Sequence, residues 1–201
     1  MESYADLAAR VLAAPPRLGS VRLVAVDGPS GAGKTDFAAR LAEAIGQASG
    51  QVVPVVRTDD LLDGWDDQFT FWGRLERDVL EPLAAGRPGG YRRYDWHRGA
   101  FGDATVGVPP APVVIVEGVS AARAAIRPRL SLAVFVTAPS DLRLARALGR
   151  DGDALRAYLE KWRLREEAHF AADATAHHAD LVVDGAPDAA HDPTEQYVRA
   201  D

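Results

Sequence analysis

Val21-Arg22-Leu23-Val24-Ala25-Val26-Asp27-Gly28-Pro29-Ser30-Gly31-Ala32-Gly33-Lys34-Thr35 is the stretch from which the architecture of the chain can be read. Its first part, Val21 to Val26, is a short apolar run. Gly28 to Thr35 then fits G-x-x-x-x-G-K-[ST], and a helical pattern runs from Lys34 to Ile45. Strand, glycine loop and helix in that order are the context in which the pattern has a mechanism. Glycines let the backbone wrap so that successive N–H groups along Gly28, Ser30, Gly31, Ala32, Gly33, Lys34 and Thr35 point at phosphate oxygens. The helix starting near Gly33 adds the positive end of its dipole. Lys34 is expected to neutralise the β and γ phosphates, and the Thr35 hydroxyl to ligate Mg²⁺. The stretch therefore predicts a nucleoside triphosphate site.

Four more apolar runs follow: Val52 to Val56, Val113 to Val116, Leu132 to Val136 and the shorter Leu181 to Val183. None shows strict alternation, as expected of strands covered by helices on both faces of a parallel sheet. Helical patterns separate them over Phe69 to Ala85, Ser140 to Gly149 and Asp153 to about Ala172, with Ser140 placed as an N-cap. The alternation predicts an α/β, doubly wound, mainly parallel five-stranded sheet flanked by helices. At 201 residues the chain fits one domain, 1–201. Within it, 1–19 reads as an N-terminal helix and linker, 141–170 as a lid region with the helix that follows, and 186–201 as a loosely ordered tail. The segment 86–112 is rich in Gly, Pro and aromatics without a sustained period, and is read as a functional loop on the acceptor side.

The formal net charge of -6 argues against a surface built to neutralise a phosphodiester backbone, so nucleic acid is not expected as a partner. The chain has no cysteine, which removes disulfides, thiolate metal sites and a cysteine nucleophile. No basic, apolar leader opens the sequence and no run of 18 apolar residues occurs, so the reading is a cytoplasmic protein without membrane partners. Nothing in the sequence speaks against a homo-oligomer.

Two acids stand where strands end. Glu117 closes Val113-Val114-Ile115-Val116-Glu117, at the carboxyl end of a parallel strand, where ligands bind in such sheets and a group on the Mg²⁺ side is expected. Asp59 is first in the acid-rich stretch Asp59-Asp60-Leu61-Leu62-Asp63-Gly64-Trp65-Asp66-Asp67 after the second run. A carboxylate there can accept the proton of an attacking hydroxyl. No Asn-Lys-x-Asp guanine-reading motif is present, which points away from a GTPase-type switch.

At this point the chain resembles the uridine kinase and phosphoribulokinase group of P-loop kinases. The resemblance rests on Asp27 to Thr35, on Asp59-Asp60-Leu61-Leu62 in the place of D-S-F-Y, on Tyr94-Asp95-Trp96-His97-Arg98, and on Arg143-Leu144-Ala145-Arg146-Ala147-Leu148-Gly149-Arg150-Asp151. It implies the fold of P-loop nucleoside triphosphate hydrolases, ATP and Mg²⁺ as cofactors, and a small-molecule hydroxyl acceptor, a nucleoside or related polyol. It implies further that Asp59 is the general base, that Asp66 grips a ribose hydroxyl, and that Tyr94, Trp96, His97 and Arg98 line the acceptor pocket. Arg146 and Arg150 would embrace the phosphates beside Lys34, Arg143 sharing their helix face.

The sequence departs from that family at Leu61-Leu62, where aromatics stand, and after Asp151, where the E-R-G-R lid is missing. Lys161, Arg163 and Arg165 are the cations available to replace the lid's charge. Two other readings stay open at this stage. One is a nucleoside monophosphate kinase using Arg92, Arg93 and Arg98 on an acceptor phosphate; the other is a nucleotide-binding regulator or slow NTPase without a small-molecule acceptor.

Overall fold

A computed structural model describes residues 1–200. The chain opens with β1 (Glu2–Ser3) and α1 (Tyr4–Ala13), whose N-cap Ser3 accepts from the Asp6 amide at 3.0 Å. Then come β2 (Arg22–Asp27), α2 (Lys34–Ser49), β3 (Val55–Arg57) and a 3-10 turn, Thr58–Leu61. A helical stretch follows as α3 (Trp72–Leu75), a π turn (Glu76–Leu80) and α4 (Glu81–Ala84). Pro82 lacks an N–H and cannot continue the regular ladder, which accounts for the wider turn before it.

Next are β4 (Gly89–Asp95), β5 (Ala100–Val108), β6 (Val113–Glu117), β7 (Leu130–Thr137), α5 (Ser140–Asp151), α6 (Arg156–Asp173), β8 (Leu181–Asp184) and β9 (Gln196–Arg199). The main sheet has the order β1-β9-β8-β7-β2-β6-β3. Its β8, β7, β2, β6 and β3 are the five parallel strands expected, with boundaries adjusted; Val52 to Pro54 fall outside β3.

The apolar runs look continuous because both faces are buried, yet each face serves a different core. Leu23, Ala25, Val114 and Val116 point toward Phe71, Trp72, Leu75 and Leu83. Val24, Val26, Val113 and Ile115 point toward Phe37, Leu41 and Ile45 of α2 and Leu7 and Val11 of α1. Each fully buried Val, Leu, Ile or Phe among them contributes on the order of 1.5–3 kcal/mol.

Three local readings are corrected. The tail is not loosely ordered: β9 pairs antiparallel with β8 and β1 with β9, and Tyr197 Oη donates to Glu2 at 2.6 Å. Tyr4, Phe37 and Tyr197 pack as three mutual neighbours, 5.3, 5.4 and 5.5 Å between ring centres, closing this edge. Only Asp201 lies outside the described residues. Second, most of 86–112 is the β4–β5 hairpin, a separate two-stranded sheet. A register shift between Arg92 and Tyr94 places the buried Tyr91 and Tyr94 three apart, which erases the period-two signal. Third, Ser140 is not the N-cap: Pro139 holds that position, Ser140 is the first residue of α5, and its hydroxyl accepts from Arg163 of α6.

Candidate active site

β2, β6 and β3 end side by side. Val26 is in register with Glu117, and Arg57 with Glu117 from the other side, so all three carboxyl ends deliver their following loops to one crevice. The crevice has a volume of about 660 Å³ and is lined by the Gly28–Thr35 loop, Asp59, Glu117, Arg146, Arg150 and the Asp184-Gly185 turn.

Asp27, the last residue of β2, is wholly buried and ties the loop down. Its Oδ1 accepts from the amides of Gly28 at 2.7 Å and Ser120 at 2.9 Å, and its Oδ2 from that of Ala122 at 2.8 Å. Burial pushes its carboxyl up to about 7, against the opposite pull of those amides and of Lys34. Gly28 leaves the strand at φ +138°, where an added Cβ would sit 2.1 Å from the Val136 carbonyl oxygen of β7. Only glycine lets the loop pass so close to the sheet. Lys34 is nearly buried at the head of α2, and its Nζ donates back to the Pro29 carbonyl at 3.0 Å.

Opposite the loop, Thr35 Oγ1 donates to Glu117 Oε1 at 3.1 Å, and Arg57 Nε stands 3.7 Å from the same oxygen. Burial raises the Glu117 carboxyl, and the nearby Asp59 raises it further. Asp59 sits in the Thr58–Leu61 turn with its side chain open to the solvent of the crevice. Crowding by protein atoms raises its carboxyl above the ordinary range, while Lys34 and Arg150 pull it down.

The α5 arginines divide their work. Arg146 reaches over the loop, donating to the carbonyls of Gly31 at 3.0 Å and Gly185 at 3.2 Å. Arg150 lines the crevice while paired with Asp151 at 2.7 Å. Arg143 does not join them. It is buried, donates to the Ala138 carbonyl at 3.0 Å and faces Glu166.

The expected acceptor residues are not brought to this crevice. Asp66 is engaged with Lys161 at 3.3 Å and Arg165 at 3.0 Å on α6, and those cations hold its carboxyl below the usual range. This pairing also takes up Lys161 and Arg165 as substitutes for a lid, while Arg163 lies against Ser140 and Glu167. Tyr94, Trp96, His97 and Arg98 belong to the hairpin tip. Asp95 Oδ1 accepts from the His97 and Arg98 amides at 2.9 and 3.0 Å, and the side chains of His97 and Arg98 stand exposed. Trp96 packs edge-on against Tyr94 and Trp65, at 5.1 and 5.2 Å between ring centres. Trp65 in turn meets Tyr158 and Trp162 of α6. The basic trio of the monophosphate reading is dispersed as well: Arg93 pairs with Asp60, and Arg92 binds the Gly102 carbonyl.

Sequence reasoning gave no role to four contributors, although Asp27 belongs to the stretch that carries the resemblance. Asp27 was marked by an acid inside an otherwise buried strand. Glu166 and Trp162 had only their i, i+4 spacing on a helix to signal them, and Gly185 had nothing.

A glycine-rich loop between a central parallel strand and its helix, facing a strand-end acid and two arginines, defines a P-loop phosphotransferase. No protein-family model matches the chain. Uridine kinase of Deinococcus deserti is 32% identical over 149 residues, 66% of this chain and 70% of that protein. Uridine kinase of Borrelia duttonii is 24% identical over 197 residues, 89% and 92% of the two chains. The solved structure of "a Possible Uridine Kinase from Bacillus stearothermophilus" matches the fold with a TM-score of 0.66 and 20% identity, covering 89% of this chain and 96% of that one. The chain belongs to the uridine kinase-like family of P-loop kinases. Among the described residues no helix is long and apolar enough to cross a membrane.

Proposed function

We propose that this kinase transfers the γ-phosphate of ATP to a hydroxyl of a nucleoside or related polyol, with Asp59 as general base. The observation that carries the reading is the position of Asp59. Its carboxylate shares the crevice with Lys34 and Arg150, open to an incoming hydroxyl and with its pKa raised. A base whose pKa lies closer to neutrality takes a hydroxyl proton more effectively.

Thr35 and Glu117 offer a hydroxyl and a carboxylate 3.1 Å apart, both hard oxygens suited to Mg²⁺. Among the described residues no trio of His, Cys, Asp or Glu converges as an all-protein metal cage. Two oxygen ligands fit an ion that completes its shell with phosphate and water. When bound, Mg²⁺ would supply charge neutralisation at the phosphates. Lys34 and the loop amides hold the donor, and Arg146 and Arg150 balance the charge spread over the transferring group. Asp59 takes the proton that the acceptor hydroxyl loses as its oxygen bonds to the γ-phosphorus and ADP is displaced.

The acceptor side is assigned to the surface of Trp65 and Trp96, with the buried Tyr94 packed edge-on behind Trp96. Support comes from aromatic faces on which a base or sugar can stack, and from the relatives bearing the name uridine kinase. Asp66 would contact the acceptor only by exchanging its α6 partners, and His97 and Arg98 only if the hairpin tip folds over the substrate. The test is to incubate the protein with ATP, Mg²⁺ and a panel of nucleosides, nucleoside monophosphates and polyols, and to follow phosphate gain by mass. A nucleoside or polyol gaining phosphate is expected, with Asp59→Asn slower by roughly a hundredfold or more. Transfer only to monophosphates, or to water alone, refutes the assignment.

A further inference from the structure

Glu166 lies in the middle of α6, wholly buried, a carboxylate on a helix that contributes no residue to the lining of the crevice. Two of the three hydrogen bonds it accepts come from the phosphate loop and the third from its own helix. Oε1 accepts from the Ser30 amide at 3.0 Å and from the Ser30 hydroxyl, and from Trp162 Nε1 at 2.7 Å. Ser30 Oγ itself accepts from Trp162 Nε1 at 3.0 Å, so loop, carboxylate and indole close a ring of hydrogen bonds. Oε2 has no hydrogen-bond partner and faces Arg143 Nη1 at 4.0 Å.

Charge-assisted bonds to backbone amides are short, directional and strengthened away from water, so this group fixes where Ser30 stands. Ser30 follows Pro29, whose carbonyl accepts from Lys34 Nζ at 3.0 Å and from the Ala32 amide at 3.2 Å. The position of Ser30 thus sets the position of Pro29 and, through it, the rest pose of the phosphate-facing lysine. On its other side α6 is tied to the acceptor half. Trp162 meets Trp65 at 5.7 Å between ring centres, and its carbonyl accepts from Gln68 Nε2 at 3.2 Å.

We propose that Glu166 is a positioning residue for the phosphate loop: it latches α6 onto Ser30 and thereby couples donor binding to the α6 and Trp65 side of the molecule. The inference rests on the donor site proposed above. The charge on Glu166 is required because both faces of the carboxylate look at donors: Ser30 and Trp162 on one side, the Arg143 guanidinium on the other. A glutamine there has one acceptor oxygen and must turn its amide N–H₂ toward one of the two.

The test uses Mg-ADP binding by the full chain, followed by calorimetry and by tryptophan emission, and needs no acceptor. Glu166→Gln is expected to weaken ADP binding roughly tenfold, the effect of losing a charged hydrogen bond. It should also diminish the ADP-induced emission change, which in the parent is expected to vanish with Trp162→Phe. The neighbouring Glu167→Gln, partly exposed, should behave as the parent. If Glu166→Gln does not fold, Ser30→Ala removes one donor and leaves the buried carboxylate bonded; it should bind ADP a few-fold more weakly and with a reduced emission change. Parent-like ADP affinity and emission in Glu166→Gln, or in Ser30→Ala, overturns the proposal, because a carboxylate that only stabilises the fold would change the melting temperature and not the affinity of the folded protein. A parent chain that binds ADP with these responses but phosphorylates nothing would instead sink the kinase assignment and leave the latch standing.

Discussion

Gly118→Ala is the substitution whose cost can be worked out from the structure. Gly118 follows Glu117 at φ +137°, and a Cβ built there falls 1.9 Å from Thr58 Oγ1, 3.3 Å from Thr58 Cγ2 and 3.0 Å from Thr58 Cβ. Two costs add. Holding an L residue in this backbone region costs of order 1–3 kcal/mol, and forcing extra volume against a buried neighbour about 1–3 kcal/mol. A central value of about 4 kcal/mol is a large part of the ~5–15 kcal/mol that holds a domain together, and corresponds to a fall in Tm of roughly 8–16 °C at this chain length. Thr58→Ala removes the two side-chain atoms beyond Cβ that meet the new methyl. In a double-mutant cycle it should recover the packing half of the loss and leave the backbone half. Urea unfolding of the four proteins, read by tryptophan emission, measures both. Because Thr58 opens the turn that carries Asp59, the single mutant should also lose more phosphoryl transfer than its unfolded fraction explains. A Gly118→Ala protein within about 0.5 kcal/mol of the parent, the range of an inconsequential surface change, refutes the reasoning. So does a cycle without coupling between the two positions.

Asp59→Asn is expected to lower kcat by roughly a hundredfold or more, the usual size of a general-base contribution, with Mg-ADP affinity unchanged by calorimetry. Since desolvation raises the Asp59 carboxyl and the base must be ionised, kcat should rise with pH through a value above the ordinary aspartate range and level off beyond it. The same acid limb persisting in Asp59→Asn would show that another group causes it. Arg146→Ala should weaken donor binding several-fold, since it frees the Gly31 and Gly185 carbonyls from their shared guanidinium, and unchanged affinity would remove Arg146 from the donor site. Tyr197→Phe deletes the bond to Glu2 while keeping the ring cluster, and should cost about 1 kcal/mol in urea unfolding without altering activity.

What was legible in the sequence and what was not follow from where each signal is stored. The phosphate loop is local: Gly28 to Thr35 contains its own turn chemistry, lysine and hydroxyl, and the flanking strand and helix have to be its neighbours. The five parallel strands were readable because burial on both faces leaves unbroken Val and Ile runs such as Val113 to Val116. Asp59 and Glu117 were readable because parallel strands bring their carboxyl ends to one edge, whatever the loops between them do. The β4–β5 hairpin was hidden by the shift near Arg92, and β9 by a segment, Gln196-Tyr197-Val198-Arg199, too short and mixed to stand out. Asp66 shows the deeper limit. Its place in the sequence suited a ribose, but its charge is already met by Lys161 and Arg165, 95 and 99 positions along the chain, a pairing that only the docking of α6 decides. Glu166 is the same case in reverse: an unremarkable helix acid becomes a phosphate-loop contact because α6 packs across the loop. The phosphate loop itself is therefore written in contiguous sequence, and the groups around it are not. The proposed acceptor surface depends on how Trp65 sits between α6 and the hairpin, and the ADP titration of Glu166→Gln reads the hold of α6 on the phosphate loop.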